Sequence, residues 1–336
     1  MTIPLLVIIN ISPQARAKLE GLGFEVLLAG ERGGRAEAVR TTPQARAVLT
    51  NGSLGLTADE IAALPEAEII CAIGAGYEMI DVPTANARGI VVTNGAGTNA
   101  QAVADHAMTL LLALAGTIVP ANAAVRRGEW SNFASPRQAS AKPGERTDFP
   151  FRRVGVHGKR LGIVGLGVIG SLIADCAAKG FAMEVAYHNR RLVTGSPYRY
   201  EASLDALAAW ADFLVLSAPG GGGTYHLVGS RVFEHLGPNG YLVNIGRGTV
   251  VDTDALVAAL QARTIAGAAL DVVEGEPNIP PHLREIENLL LTPHMAGRTP
   301  EAITAMTDLA AANLSAYFAG KPVRNQVNAD AVPYQP

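Results

Sequence analysis

Three side chains in the second half of this chain have types suited to holding an anion and moving a proton: Arg247, Glu276 and His294. An arginine offers a planar fork that binds a carboxylate through two parallel hydrogen bonds. A histidine exchanges protons near neutral pH. A glutamate beside it favours the imidazolium and fixes the ring. Arg247 is flanked by Gly246 and Gly248, Glu276 precedes Pro277, and His294 follows Pro293. Singly, each reads as an ordinary loop arginine, turn glutamate or surface histidine. Together, downstream of a nucleotide fingerprint, they make a chemically complete set.

The fingerprint is Gly165-Leu166-Gly167-Val168-Ile169-Gly170. Strand-like residues 160–164 precede it, and a small-residue helix at 171–179, closed by Gly180, follows. Strand, glycine turn and helix are the context that a dinucleotide phosphate site needs. The first glycine permits the tight turn, the second lets backbone approach the pyrophosphate, and the third lets helix pack on strand. The helix N-terminus then offers N–H groups and a positive dipole end. Gly165, Gly167, Val168 and Ile169 are the expected contacts; the alternative is a glycine-rich structural turn.

The next strand, 183–187, ends in His188-Asn189-Arg190-Arg191. A site selective for NAD carries an acid about 20 residues past the glycines, bonded to the ribose 2′-hydroxyl. Here Asn189 stands 19 residues past Gly170 and no acid is near. Two guanidinium groups would pair with a 2′-phosphate, which favours NADP(H) and leaves NAD(H) possible. The plainer reading of Arg190 and Arg191 is a solvated loop.

The elements that must position these groups alternate from the start. Strands are expected at 5–11, 24–29, 47–50, 69–73 and 90–93, with helices at 13–21 and 58–63. A long helix at 99–127, apolar all round, reads as buried on several sides. Residues 131–156 carry three prolines and four arginines and read as a long surface loop. Further strands are expected at 213–217, 241–245, 268–272 and 289–292. A last helix opens at Thr299-Pro300-Glu301, with an N-cap residue before proline, and ends at Gly320. Parallel α/β architecture follows, with chemistry at the C-terminal ends of the strands. Because the fingerprint lies mid-chain, the dinucleotide-binding domain (101–294) is expected as an insertion into a split substrate domain (1–100 and 295–336).

Composition narrows the class. With 336 residues, 49% of them hydrophobic, two cores are the natural expectation. A net charge of −3 argues against general binding to nucleic acid or membrane surfaces. The apolar N-terminus reads as a core strand rather than a targeting signal, and no apolar run is long enough to span a membrane. Cys71 and Cys176 are expected as buried free thiols, with neither disulfide nor metal, which fits a reducing cytoplasm.

Several further motifs accompany the set: Asn244-Ile245-Gly246-Arg247-Gly248, Val251-Asp252, the run Ala269-Leu270-Asp271-Val272-Val273-Glu274-Gly275-Glu276-Pro277, and Thr292-Pro293-His294-Met295-Ala296-Gly297. Earlier come Gly74-Ala75-Gly76-Tyr77, Ile80-Asp81 and Val103-Ala104-Asp105-His106. In this order, across about 45–325, the chain resembles the D-isomer-specific 2-hydroxyacid dehydrogenase family. Its flavour is that of the NADPH-using glyoxylate/hydroxypyruvate and aromatic 2-oxoacid reductases. The resemblance implies two Rossmann-like parallel-sheet domains, the substrate domain being flavodoxin-like.

It also implies His294 as catalytic acid/base, Glu276 rather than Glu274 as its partner, and Arg247 as the carboxylate holder. It places Ala75 and Gly76 backbone on the substrate and Leu54 near its side chain. Ala218, Pro219, Ile245, Asp271, His294 and Gly297 are expected along the cofactor. Asp271 would stand near the nicotinamide end, its plainer reading being a strand-terminal turn residue. The implied reaction is reduction of a small 2-oxo acid (glyoxylate, hydroxypyruvate or larger) to the D-2-hydroxy acid, in a homodimer. Phosphite oxidation on the same fold and a nucleotide-sensing corepressor are the alternatives. The glycine run Gly220 to Gly223 has no assigned contact.

Overall fold

The computed structural model describes residues 2–132, 151 and 153–328. The chain divides into two compact units, Met1–Ala102 with Gly297–Pro336, and Val103–Ala296.

The first unit holds five strands: β1 (Ile3–Val7), β2 (Phe24–Leu28), β3 (Ala47–Asn51), β4 (Ile69–Ile73) and β5 (Val91–Thr93). All are parallel, in the order β2-β1-β3-β4-β5, which is the flavodoxin-like order. Alternate residues feed two buried layers. Leu6, Val48, Ile70 and Val92 face one side, while Leu5, Leu49, Ile69 and Val91 face the other with Leu314 and Tyr317 of the last helix. Apolar side chains on both faces are what a parallel sheet covered by helices requires.

Helix starts follow local chemistry. Ser12 Oγ accepts from Ala15 N at 3.1 Å ahead of Pro13. Thr57 and Glu60 form a reciprocal capping box. Thr299 caps the helix Pro300–Phe318, with proline in its first turn.

The second unit holds seven strands: β6 (Arg160–Val164), β7 (Glu184–His188), β8 (Arg199–Tyr200), β9 (Phe213–Leu216), β10 (Tyr241–Asn244), β11 (Gly267–Leu270) and β12 (Leu289–Leu291). They too are parallel, ordered β12-β11-β10-β9-β6-β7-β8. The chain therefore winds outward from β6 in both directions, and the crevice between β6 and β9 is the switch point where such sheets bind nucleotides.

Several expectations are corrected. The helix expected at 99–127 is two helices, Ala100–Ala115 and Ile118–Arg126, bent by 61°. Gly116 follows the first helix, and Thr117 takes a left-handed φ of 50°. The second helix is not buried all round, because Ile118, Val119 and Val125 are exposed. No single described helix is long and apolar enough to cross a membrane; only this bent pair is, taken together.

The helix expected to close at Gly180 continues as Val168–Phe181, and Ala182, at φ 49°, ends it. Phe181 packs against the core, which holds the two extra residues in place. Cys71 is buried and free as expected, with burial pushing its thiol up to about 12 against the lowering effect of the Thr93 hydrogen bond. Cys176 is exposed. The helices Arg35–Thr41, Val82–Ala87, Leu204–Trp210, Ser230–Leu236 and Thr253–Gln261, and the two-residue β8, were not anticipated. Most of the loop expected at 131–156 lies outside the described residues.

Candidate active site

Each member of the glycine fingerprint has a separate physical task. Gly165 has φ +98°, and a Cβ there would stand 2.7 Å from the Ala218 nitrogen. At Gly170 a Cβ would lie 2.2 Å from the Gly165 carbonyl oxygen, so helix and turn touch directly. Gly167 differs: a Cβ there meets nothing within 4 Å. It is the N-cap of the helix Val168–Phe181 and supplies no side-chain cap. Among the described residues, the N–H groups of Gly167, Val168 and Ile169 have no acceptor. The open face at Gly167 and the free N–H groups fit a pyrophosphate.

A cavity of about 870 Å³ opens beside this turn, lined by Gly165, Gly167, Asn189, Arg190, Arg191, Ala218 and Pro219. The run Gly220 to Gly223 forms another part of its wall. Asn189 Oδ1 accepts from Leu166 N at 2.7 Å, so this side chain braces the glycine turn. Tyr200 donates its hydroxyl to the Asn189 carbonyl at 3.2 Å. Beyond this anchor Arg190 and Arg191 are exposed, and neither pairs with a carboxylate among the described residues. Val168 is exposed at the start of the helix, and Ile169 packs against the core.

Arg247 follows β10 in a turn organised by Asn244. This fully buried asparagine accepts from Gly246 N at 3.0 Å and donates to the Arg247 carbonyl at 2.9 Å. The flanking glycines are dictated by close approach. A Cβ at Gly246 would lie 2.5 Å from the Ala218 carbonyl oxygen, and one at Gly248 would lie 2.1 Å from the Val273 carbonyl carbon. Gly220 gives room to the arginine itself, since a Cβ there would stand 3.1 Å from Arg247 Cγ. That is a role for part of the glycine run. Neighbouring Ile245 is buried.

Glu276 and His294 meet. Their Oε1 and Nδ1 atoms are 2.5 Å apart. An ionised carboxylate only accepts, so Nδ1 carries the proton and Nε2 is left for another partner. Burial pushes the Glu276 carboxyl up, but the His294 bond and charge, the Val273 N–H and the Arg247 charge outweigh it and hold the group below its ordinary value. Glu276 is thus ionised across neutral pH. Glu274 does not touch His294; it accepts from His226 instead, at 3.0 Å.

His294 has a left-handed φ of 49°, a conformation costing a residue with a Cβ roughly 1–2 kcal/mol. Asp271 holds it there. The Asp271 carbonyl accepts from His294 N at 2.8 Å. Its buried carboxylate accepts from Met295 N and Ala296 N, each at 2.9 Å, and from Thr292 Oγ1 at 2.6 Å. His106 Nε2 lies 3.1 Å from Thr292 Oγ1 and 3.4 Å from the Asp271 carboxylate. Both Asp271 oxygens are therefore committed to the His294 turn. Asn244, His106 and Thr292 had no expected role. The signals were their places in the motifs and, for Asn244 and Thr292, a polar residue at the end of an apolar strand.

In the first unit, Leu54 and Ala75-Gly76 follow β3 and β4. Asn51 Oδ1 accepts from Leu54 N at 2.8 Å, and Asn94 Nδ2 donates to the Ala75 carbonyl at 2.7 Å. Leu54 is exposed, and the Ala75 and Gly76 N–H groups have no acceptor among the described residues. Gly297, which opens the second segment of this unit, packs on Asn99; a Cβ there would stand 2.5 Å from Asn99 Nδ2.

Residues 108–296 match the family described as D-isomer specific 2-hydroxyacid dehydrogenase, NAD binding domain. The chain belongs to that family. It is 35% identical over 291 residues to a glyoxylate/hydroxypyruvate reductase of Arabidopsis thaliana, covering 87% of this chain and 85% of that one. It is 38% identical over 285 residues to the 2-ketogluconate reductase of Gluconobacter oxydans, covering 85% and 87%. The crystal structure of an NADPH-dependent glyoxylate/hydroxypyruvate reductase from Sinorhizobium meliloti, in complex with NADP and malonate, superposes with a TM-score of 0.88. That protein is 34% identical, and the match covers 100% of both chains. The chain is accordingly an oxidoreductase, a D-2-hydroxyacid dehydrogenase acting as a 2-oxoacid reductase.

Proposed function

We propose that this chain reduces small 2-oxo acids to D-2-hydroxy acids with a preference for NADPH, as a cytoplasmic homodimer. The observation that carries the reading is the 2.5 Å contact between His294 Nδ1 and Glu276 in a unit that also carries the open glycine turn. The unit Val103–Ala296 is assigned the nucleotide and the other unit the substrate side chain.

A reduced nicotinamide held by this unit would supply the hydride for C2 of the substrate. Arg247 binds the carboxylate through paired hydrogen bonds and sets the carbonyl's orientation. His294 Nε2–H donates its proton to the carbonyl oxygen as that oxygen becomes an alkoxide. Glu276 stays ionised, stabilises the imidazolium and fixes the tautomer. In the reverse direction His294 is the base. Leu54, Ala75 and Gly76 keep the substrate-binding role that the resemblance implies, and the free N–H groups of the latter two suit an anion. Gly165, Gly167, Val168 and Ile169 would hold the pyrophosphate, and Ala218 and Pro219 the adenine side.

NADPH preference is supported by Arg190 and Arg191, which line the cavity without carboxylate partners among the described residues. The homodimer is supported by the exposed apolar residues Ile118, Val119, Val125 and Trp130. The test is NADPH and NADH oxidation with glyoxylate, hydroxypyruvate, phenylpyruvate and 2-ketogluconate, with phosphite plus NADP as the control for the other chemistry. No turnover of any 2-oxo acid sinks the reading, and a higher kcat/KM with NADH sinks the preference.

A further inference from the structure

We propose that His226 and Glu274 form a positioning pair that staples the Glu276 turn to the Arg247 turn, so that the Glu276–His294 contact depends on a second, separate histidine–glutamate contact. Only the activity readout below rests on the reductase reading.

His226 grips two turns at once. Its main-chain N–H donates to the Thr249 carbonyl at 2.8 Å, and two residues on Val228 N donates to the Val250 carbonyl at 3.0 Å. These bonds zip the segment to the turn that follows Arg247. Its side chain reaches the other turn, with Nε2 lying 3.0 and 3.1 Å from the two Glu274 carboxylate oxygens. The residue holds a left-handed φ of 49° to do both, a conformation that needs outside support. Thr253 Oγ1 donates to Glu274 Oε2 at 3.2 Å, so Glu274 is also anchored to the start of the helix Thr253–Gln261. The remaining groups facing the imidazole are Asp252, whose Oδ2 lies 3.9 Å from Nδ1, and the stacked Tyr225 ring at 3.9 Å.

The grip is transmitted by main chain. Gly248 lies against Val273 and Glu274 so closely that a Cβ would stand 2.1 Å from the Val273 carbon. Val273 in turn exchanges two 3.3 Å hydrogen bonds with Glu276, one to its carboxylate and one from its N–H. Moving 273–274 therefore moves the carboxylate that His294 uses. Neither His226 nor Glu274 contacts His294 itself, so both act through Glu276.

The experiment compares His226→Ala, His226→Gln and Glu274→Gln in the full chain, after circular dichroism confirms folding. The first readout is the titration of the His294 imidazole by NMR with labelled histidine, assigned by its loss in His294→Asn. In His226→Ala the midpoint should fall by about half a unit or more, ~threefold in proton affinity. The second readout is the kcat–pH profile with glyoxylate and NADPH. Its alkaline limb should move down with the NMR midpoint, and kcat should fall about tenfold with a smaller change in the NADPH KM. Glu274→Gln should shift both in the same direction by less, and His226→Gln, which can still donate to Glu274, should restore both. An unchanged His294 titration in His226→Ala, or a glutamine variant no better than the alanine one, overturns the proposal. Wild-type protein inactive toward every 2-oxo acid would instead count against the reductase reading, and the NMR titration would still decide the positioning.

Discussion

At the end of β6, Gly167 faces open space and leaves helix N–H groups without acceptors, whereas at the end of β10, Gly246 and Gly248 are each pressed against a neighbouring backbone. At the first turn the missing Cβ leaves a face open, which on the proposed reading would admit the nucleotide's phosphates. The second uses it to bring main chains together and to project one side chain, Arg247, from a fixed base. A glycine's meaning in such a sheet is thus set by what would meet its Cβ, and substitution by alanine separates the two cases.

The largest loss should come at the residue both turns serve. His294→Asn removes the proton donor and should lower kcat by about 10²–10⁴-fold while NADPH binding by fluorescence is retained; near-normal turnover would remove His294 from the mechanism. Gly248→Ala should come next, because its Cβ has only backbone to displace. A cost of about 2–4 kcal/mol in denaturant unfolding, with a matching loss of kcat/KM, is expected. Replacing Arg190 and Arg191 together with serine should lower kcat/KM for NADPH by about 10–100-fold and leave the NADH value nearly unchanged.

Gly167→Ala is the sharpest contrast. Unfolding should stay within about 0.5 kcal/mol, as for a neutral surface change, and the NADPH Kd should rise about tenfold as the methyl enters the phosphate position. Equal destabilisation by the Gly167 and Gly248 variants would erase the distinction. The smallest effect is a shift in pH. Because the Glu276 carboxyl is held below its ordinary value, its negative charge is present at neutral pH and lost only as pH falls through that lowered value. Glu276→Gln removes the charge that favours the imidazolium, so the alkaline limb for reduction should move to lower pH by about one unit; an unmoved limb would show that the carboxylate only orients the ring.

How far these features were legible depended on how local they are. The glycine turn is contiguous, with strand, glycines and helix in one stretch, and the structure has a tight turn at Gly165, an open face at Gly167 and a helix-to-turn contact at Gly170. Arg247, Glu276 and His294 were legible through their motifs, and the structure puts the last two in contact. What holds them was not. Asp271 binds residues 21–25 positions away and His226 binds one 48 away, distances at which spacing carries no signal. The break at Gly116 and Thr117 was masked by an apolar run on both sides. Cys176 looked buried because its helix is rich in small apolar residues, yet it falls on the outer stripe.

Asn189, with its side chain closed on the Leu166 N–H, makes a seam in the nucleotide site. The glycine turn is braced before the chain reaches the two arginines, so on the proposed reading nucleotide choice would hang on a two-residue appendage to a finished frame. For protein engineering, that would make 190 and 191 exchangeable parts. A library varied there with Asn189 kept should yield folded enzymes of altered nucleotide preference. One varied at 189 as well should lose cofactor binding in most of its members.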